Sequence, residues 1–343
     1  MKLWSSCIRA LSPRRRLWLR GGAAALAAAA LSSTVAAASF PVAGKPIRII
    51  VPFPPGGQTD LQARMVAPLL AEALGARVVV ENKPGGNMVI AAQEVIRAEP
   101  DGHTLLYANG LLFTRNPLLY TNLPYDPFRD FTAIAQFVQA MNVLVASPKL
   151  PVRNLKELVE HAKASPTPLK YAVAGQGSNS HLVMELLQRV GGIKMIQVPY
   201  KGTADALRDV IGGTVDVYVD GAQTAVQNGK AGRVTMLGVS GETRLPAIPE
   251  VPTFAEQGFD KMNDGAGAWI GFFGPANMPP DVTARLHREL VKILVRPEMA
   301  AYIRSGGNEP APAASSNAFS GEIRKEYVRI VKLFQQLDIK PLQ

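Results

Sequence analysis

One cysteine, Cys7, occurs in 343 residues, and it lies in an N-terminal stretch that reads as a removable export signal. The exported chain is therefore expected to hold no thiol, no disulfide and no cysteine metal site. Cys7 also precedes the apolar run of that stretch, which argues against a lipid-anchored cysteine. Histidine is nearly as scarce. His103, His161, His181 and His287 form no HxH, HExxH or His/Asp/Glu cluster with ligand spacing, so no metal is expected. The phosphate-loop pattern GxxxxGK[ST] and the nucleophile elbow GxSxG are both missing, and GQGSNS at residues 175–180 lacks the third glycine of a dinucleotide fingerprint. No cofactor is expected.

What is present begins with that stretch. Lys2, Arg9, Arg14, Arg15, Arg16 and Arg20 make a basic region without one acid, residues 21–31 are almost all Ala and Leu, and residues 36–38 supply an A-x-A cleavage site. The apolar run is shorter than the roughly 20 residues of a membrane span. Its arginines also resemble a twin-arginine signal. Removing residues 1–38 leaves 31 basic residues against 27 acids, about +4 instead of the +10 of the full chain. The basicity belongs to the signal and gives no support to nucleic-acid binding. The 305 remaining residues exceed one comfortable core and predict two lobes.

The apolar strand IRIIV at residues 47–51 runs through PFPPGGQTD, residues 52–60, into a helix expected to start near Leu61 and to be kinked or shortened by Pro68. Such a turn leaves backbone N–H groups at a helix start, where the dipole adds partial positive charge, and no lysine stands there for a phosphate. A carboxylate suits it better. The plainer reading is a proline-stiffened turn capped by Thr59 or Asp60. With strands expected at 76–80 and 104–108, the opening hundred residues read βαβαβ, a parallel sheet whose ligands gather beyond its strand ends. There lie the PFPPGG loop and Asn109-Gly110. Residues 169–181 repeat the arrangement of strand, polar Gly/Ser loop and helix, and the Pro-rich RLPAIPEVPTF reads as a return path between the lobes and not as a domain core.

Gly57, Thr59, Asn109, Gln176, Ser178, Asn179 and Ser180 can donate hydrogen bonds without carrying charge. Two such mouths, one per lobe, match a small molecule with a carboxylate at each end. Hydrogen bonds to a charged group contribute about 1.5–3 kcal/mol each, and micromolar binding requires about 8 kcal/mol. The alternative of a different class is a secreted serine hydrolase using Ser178 or Ser180 with His181. A serine at a helix start is, however, usually a cap or an anion-holding hydroxyl.

The segments KPIRIIVPFPPGGQTDLQAR, VVVENKPGGN, EPDGHTLLYANG, NPLLYTNLPYDPFRDF, GQGSNSHL, VPYKGTADALRDVIGGTVDV, RLPAIPEVPTFAEQGF and WIGFFGPANMPP, in this order, resemble the Bug family of extracytoplasmic solute receptors, the substrate-binding subunits of tripartite tricarboxylate transporters. The resemblance implies an α/β, type II periplasmic-binding-protein fold: two α/β lobes joined by hinge strands around an interlobe ligand cleft. The lobes would comprise residues 39–141 and 250–343 for the first and 142–249 for the second. It further implies a periplasmic, monomeric receptor and not an enzyme, with a small organic acid and two membrane subunits as partners. A ligand-presenting sensor for a membrane kinase fits equally. By the same resemblance, the loop from Phe53 through Pro55 and Gly57 to Asp60 takes one carboxylate, with Asn109 and Gly110 beside it. Ser178, Asn179 and Ser180 hold the other end, and Tyr200 and Asp220 line the second lobe. Gly221, where the family commonly has Asn, marks a departure at that end.

Overall fold

In the computed structural model the described residues are 40–341 except Gly57 and Lys201. The expected export signal, its cleavage site and Cys7 lie outside them, as does the candidate ligand residue Gly57. No described helix is long and apolar enough to cross a membrane.

The opening segment follows its hydrophobic pattern. Strand β1 (Ile47–Val51), nearly all buried, leads to helix α1 (Gln58–Leu74), then β2 (Val78–Asn82), helix α2 (Val89–Ile96) and β3 (Thr104–Asn109). β1 pairs parallel with β2, Ile47 opposite Val78, and with β3, Arg48 opposite Thr104. Helix α1 starts three residues earlier than expected and continues through Pro68 to Leu74. The long strand β4 (Phe131–Ala140) follows, with no counterpart among the expected strands. Its buried Phe131, Ile134, Phe137 and Val138 are spaced more like a helix face, because its pairing with a later strand, Ala268–Pro275, shifts register twice.

At Met141 the chain passes into a second sheet. It contains β5 (Asn142–Ala146), helix α3 (Leu155–Ala164), β6 (Lys170–Val173), helix α4 (Asn179–Gly191), β7 (Ile196–Pro199), helix α5 (Thr203–Gly212), β8 (Val217–Gly221), helix α6 (Ala222–Lys230) and β9 (Thr235–Val239). Its order is β7-β6-β8-β5-β9, with β6 parallel to β7 and β8 and β5 antiparallel to β8 and β9. The chain re-enters the first sheet at β10 (Ala268–Pro275), which is antiparallel to β3 and β4. Helices α7 (Pro280–Leu294) and α8 (Pro297–Ser305), the two-residue β11 (Glu309–Pro310) and helix α9 (Ser316–Gln336) complete it. The six-stranded order is β11-β4-β10-β3-β1-β2.

One detail of this path differs from expectation. Leu245, Ile248 and Val251 of the Pro-rich connection are buried with Val143, Val145 and Tyr218 of the second sheet, so the connection is part of a core. Phe254, Phe259 and Met262 pack with Leu144, Val217 and Leu237. Here apolar side chains between the prolines matter more than the prolines, which limit only hydrogen bonding. Helix α9 joins both cores. Phe319 and Ile323 pack with Phe113 and Phe273 of the first lobe, while Ile330, Leu333 and Phe334 pack with Leu182 and Leu186 of the second. Gly271 makes room for this helix, since a Cβ there would stand 2.6 Å from the Phe319 ring.

Candidate functional site

The crossovers set the position of the site. β3 ends with Asn109 opposite Ile270, two residues into β10, and β8 ends with Gly221 opposite Asn142, the first residue of β5. The carboxyl-terminal edges of both parallel strand sets therefore meet the two chain passages between the sheets, where ligands of such sheets collect. Asn142 ties the passages together: its side-chain amide donates to Ala266 O at 2.9 Å, and its main-chain N–H donates to Ser240 Oγ at 2.9 Å. Arg115 donates to Gly267 O at 2.9 Å.

At the first-lobe mouth, Asp60 lies inside the first turn of α1 and not ahead of it as a cap. Its buried carboxylate accepts from Gly56 N–H at 2.8 Å, from Arg64 Nε at 3.0 Å and from Asn82 Nδ2 at 2.8 Å. Asn82 donates as well to Phe53 O at 3.0 Å and accepts from Arg64 Nη2 at 2.9 Å. Burial alone would raise the Asp60 pKa, but bonds from Arg64, Gly56 and Asn82 outweigh it and hold the carboxyl below its ordinary range. Asp60 is thus the anchor of the loop, and the Gly56 amide is turned inward onto it. Phe53 is half-buried, Pro55 is exposed and Thr59 is half-buried. Asn82 was not legible as a site residue, although a polar residue ending the apolar run VVVEN at a parallel-sheet edge is its signal. Gln58 is a second addition: its Nε2 is buried without a hydrogen-bond partner in the same loop.

On the neighbouring strand, Asn109 Oδ1 accepts from Leu111 N–H at 3.1 Å, so Nδ2 is the group Asn109 can offer outward. Gly110 behaves differently. Its N–H donates to Trp269 O at 3.2 Å, and a Cβ would lie 3.0 Å from the indole. Gly110 secures the close approach of Trp269.

At the second-lobe mouth, Ser178 is the N-cap of α4, its Oγ accepting from His181 N–H at 3.4 Å. Ser180 Oγ accepts from Ala174 N–H at 3.1 Å, and the two hydroxyl oxygens lie 2.8 Å apart. One hydroxyl hydrogen closes that pair, and the other can be given to a ligand. His181 Nδ1 accepts from Gly177 N–H at 3.1 Å, and burial lowers the imidazole pKa. Neither serine hydroxyl bonds the ring, so no serine–histidine proton relay is formed. Gln176 is half-buried in this loop, and Asn179 Nδ2 donates to Ala266 O at 3.4 Å, linking the helix start to the crossover.

Tyr200 and Asp220 close the ends of β7 and β8, on either side of β6. The Tyr200 hydroxyl donates to Asp209 Oδ2 at 2.7 Å, and burial together with Asp209 pushes it up to about 12. Asp220 is buried. Its Oδ1 accepts from Gly221 N–H at 2.9 Å and its Oδ2 from Thr224 Oγ1 at 2.6 Å, yet burial pushes its pKa up to about 6. Among the described residues no group of three or more His, Cys, Asp or Glu is placed to hold a metal ion.

Comparison with known proteins follows the same lines. The sequence pattern of the tripartite tricarboxylate transporter family receptors (TctC) matches residues 62–338. A UPF0065 protein of Bordetella pertussis is 34% identical over 318 residues, 93% of this chain and 97% of that protein. Among solved structures, the periplasmic binding protein BugD superposes with a TM-score of 0.76 at 31% identity, covering 87% of this chain and 99% of that one. Rpa4515 of R. palustris with adipate gives 0.79 at 30% identity, with coverage of 88% and 99%. MatC of Rhodopseudomonas palustris with bound malate gives 0.73 at 28% identity, with coverage of 84% and 98%.

Proposed function

We propose a function that proceeds from one premise: this chain belongs to the tripartite tricarboxylate transporter receptor family, whose members are solute-binding proteins and not enzymes. The chain captures a small organic acid with carboxylates at both ends, in the cleft between its two lobes, and delivers it to the membrane subunits of a tripartite transporter from the periplasm. The observation that carries this reading is the chemistry of the two mouths. Each is a strand that empties through a glycine-containing turn into a helix, α1 or α4, and each offers main-chain, amide or hydroxyl donors. The carboxylates nearby, Asp60 and Asp220, have their oxygens turned to internal donors. Adipate and malate, bound by two structural relatives, have the required form.

In this reading Asn109, Gln58, Thr59 and the Gly57 region hold one carboxylate. Ser178, Asn179, Ser180 and Gln176 hold the other, and Tyr200 and Asp220 bound the cleft on the second lobe. The test is calorimetric titration of a preparation stripped of ligand by unfolding and refolding, using adipate, malate and a panel of aromatic and amino acids. One dicarboxylate is expected to bind at micromolar strength, and Ser178→Ala with Ser180→Ala should weaken it about ten-fold or more. Absence of binding across the panel refutes the reading.

A further inference from the structure

The turn between β2 and α2, residues 83–88, is fastened beside the first-lobe mouth. Lys83 N–H donates to Val51 O at 2.8 Å, at the end of β1. Asn82, one residue earlier, holds both Phe53 O and Asp60. From the other side Asn116, buried in the segment that follows Asn109, donates its side-chain amide to Asn87 O at 2.8 Å. Asn87 is thereby set between the ends of β1 and β3, from which Phe53 and Asn109 of that mouth arise.

The turn is held in an uncommon conformation. Gly85, Gly86, Asn87 and Met88 all have positive φ, at +119°, +54°, +52° and +74°. Glycine adopts this region freely and asparagine tolerates it, but methionine does so at a cost. Met88 stays there because its side chain is buried with Ile50 and Phe113 of the first core. Strain of this kind persists where the surroundings over-determine it, and it gathers at ligand sites. The Asn87 side chain, held by these anchors, is half-buried and makes no hydrogen bond to a described residue.

A free amide presents an acceptor and a donor side by side, Oδ1 and Nδ2. A plain carboxylate has acceptors only and would meet Oδ1 with repulsion. A 2-hydroxycarboxylate has an O–H and a carboxylate oxygen on adjacent carbons, which matches both atoms. An ammonium in place of the hydroxyl would need a carboxylate to offset its desolvation, and Asp60 is engaged by Gly56, Arg64 and Asn82. We propose that Asn87 is a specificity-determining residue of the first-lobe mouth: Oδ1 accepts from a ligand hydroxyl and Nδ2 donates to the carboxylate beside it. The preferred ligand is then a 2-hydroxydicarboxylate. This inference rests on the dicarboxylate reading above and narrows it.

The experiment is calorimetric titration of the ligand-stripped protein with L-malate, succinate, L-aspartate and adipate, in the native form, Asn87→Gly and Asn87→Asp. Glycine takes positive φ without strain and aspartate tolerates it, and circular dichroism verifies the fold of both variants. Malate is expected to bind about ten-fold tighter than succinate or L-aspartate. Asn87→Gly should bring malate down to the level of succinate. Asn87→Asp supplies the charge that an ammonium needs and should place L-aspartate ahead of malate. If one variant does not fold, the other decides. Succinate or L-aspartate as tight as malate in the native protein, an unchanged preference for malate in folded Asn87→Gly, or an unreversed order in folded Asn87→Asp overturns the inference and leaves the dicarboxylate reading standing. No response to malate or succinate also overturns it, and silence from adipate as well refutes the dicarboxylate reading too.

Discussion

Asn82 Nδ2 lies 2.8 Å from Asp60 Oδ1, so the end of the second strand holds the first turn of helix α1. Through that bond and the one to Phe53 O, β2 fixes the turn that leads from β1 to the helix. The position of the proposed carboxylate loop is therefore dictated by a side chain 22 residues away from its anchor. Asn82→Ala removes one of the three donors on Asp60 and the donor on Phe53 O. A loss of about 1–2 kcal/mol of stability is expected in urea unfolding. Dicarboxylate affinity should fall together with it, by about ten-fold in calorimetry. Unaltered affinity in the folded variant would show that the loop holds its place without Asn82.

Gly175 and Gly177 separate backbone strain from steric conflict within one loop. Both have positive φ, +99° and +68°, but a Cβ on Gly175 meets open space, whereas one on Gly177 lies 2.8 Å from Leu119 Cδ1. Gly175→Ala is expected to cost about 1 kcal/mol from conformation alone. Gly177→Ala adds overpacking against Leu119 and Phe334, for about 2–4 kcal/mol in all, and displaces the N–H that His181 accepts. Calorimetric melting ranks the two, and equal costs would rule out the steric account.

Asp220 gives a pH dependence of defined sign. Its folded-state pKa, about 6, stands above the ordinary 3.8 because burial disfavours the charge. The stability linked to its proton is fully present below pH 3.8 and is lost as pH rises through 6. A shift of about two units corresponds to roughly 3 kcal/mol at most. Asp220→Asn is thus expected to gain on the native protein as pH rises from about 4 to about 6.5, with a constant difference above that. Melting curves at about pH 4.5 and about pH 7.5 measure the gap, and an identical gap at both would mean that Asp220 does not titrate in this window.

The parts legible from sequence were those where one short-range signal had no competitor. The run IRIIV before PFPPGG specified strand, turn and helix in order, and the apolar strands expected at 76–80 and 104–108, observed at 78–82 and 104–109, fell into the parallel pairing that pattern implies. Strand β4 was hidden because its double register shift breaks the alternation that marks a strand. The start of α1 at Gln58 was hidden by a tertiary cause, since Asp60 turns back to Gly56 and leans on Asn82. Burial of RLPAIPEVPTF depended on packing against Val143 and Val145, far earlier in the chain, which no local window reports. At the site, residue types were readable but their hydrogen-bond directions were not: the amide of Gly110 and the hydroxyl of Tyr200 are both directed to protein partners.

Helix α9 bears on how freely the lobes separate. Its first half buries Phe319 and Ile323 in the first core, and its second half buries Ile330, Leu333 and Phe334 in the second. A rigid helix so placed transmits loss of either core to the other, because its hydrogen-bond ladder is continuous from Ser316 to Gln336. The native protein is expected to unfold in one calorimetric transition. Phe334→Ala, which leaves a cavity beside Leu182 and Leu186, should cost about 3–5 kcal/mol and lower that single transition. Deleting residues 328–343 removes the second anchor altogether, and the transition should then divide, with the second lobe melting first. Two transitions in the intact chain, or one in the truncated chain, would show that the two passages at Met141 and Gly267 couple the lobes without the helix.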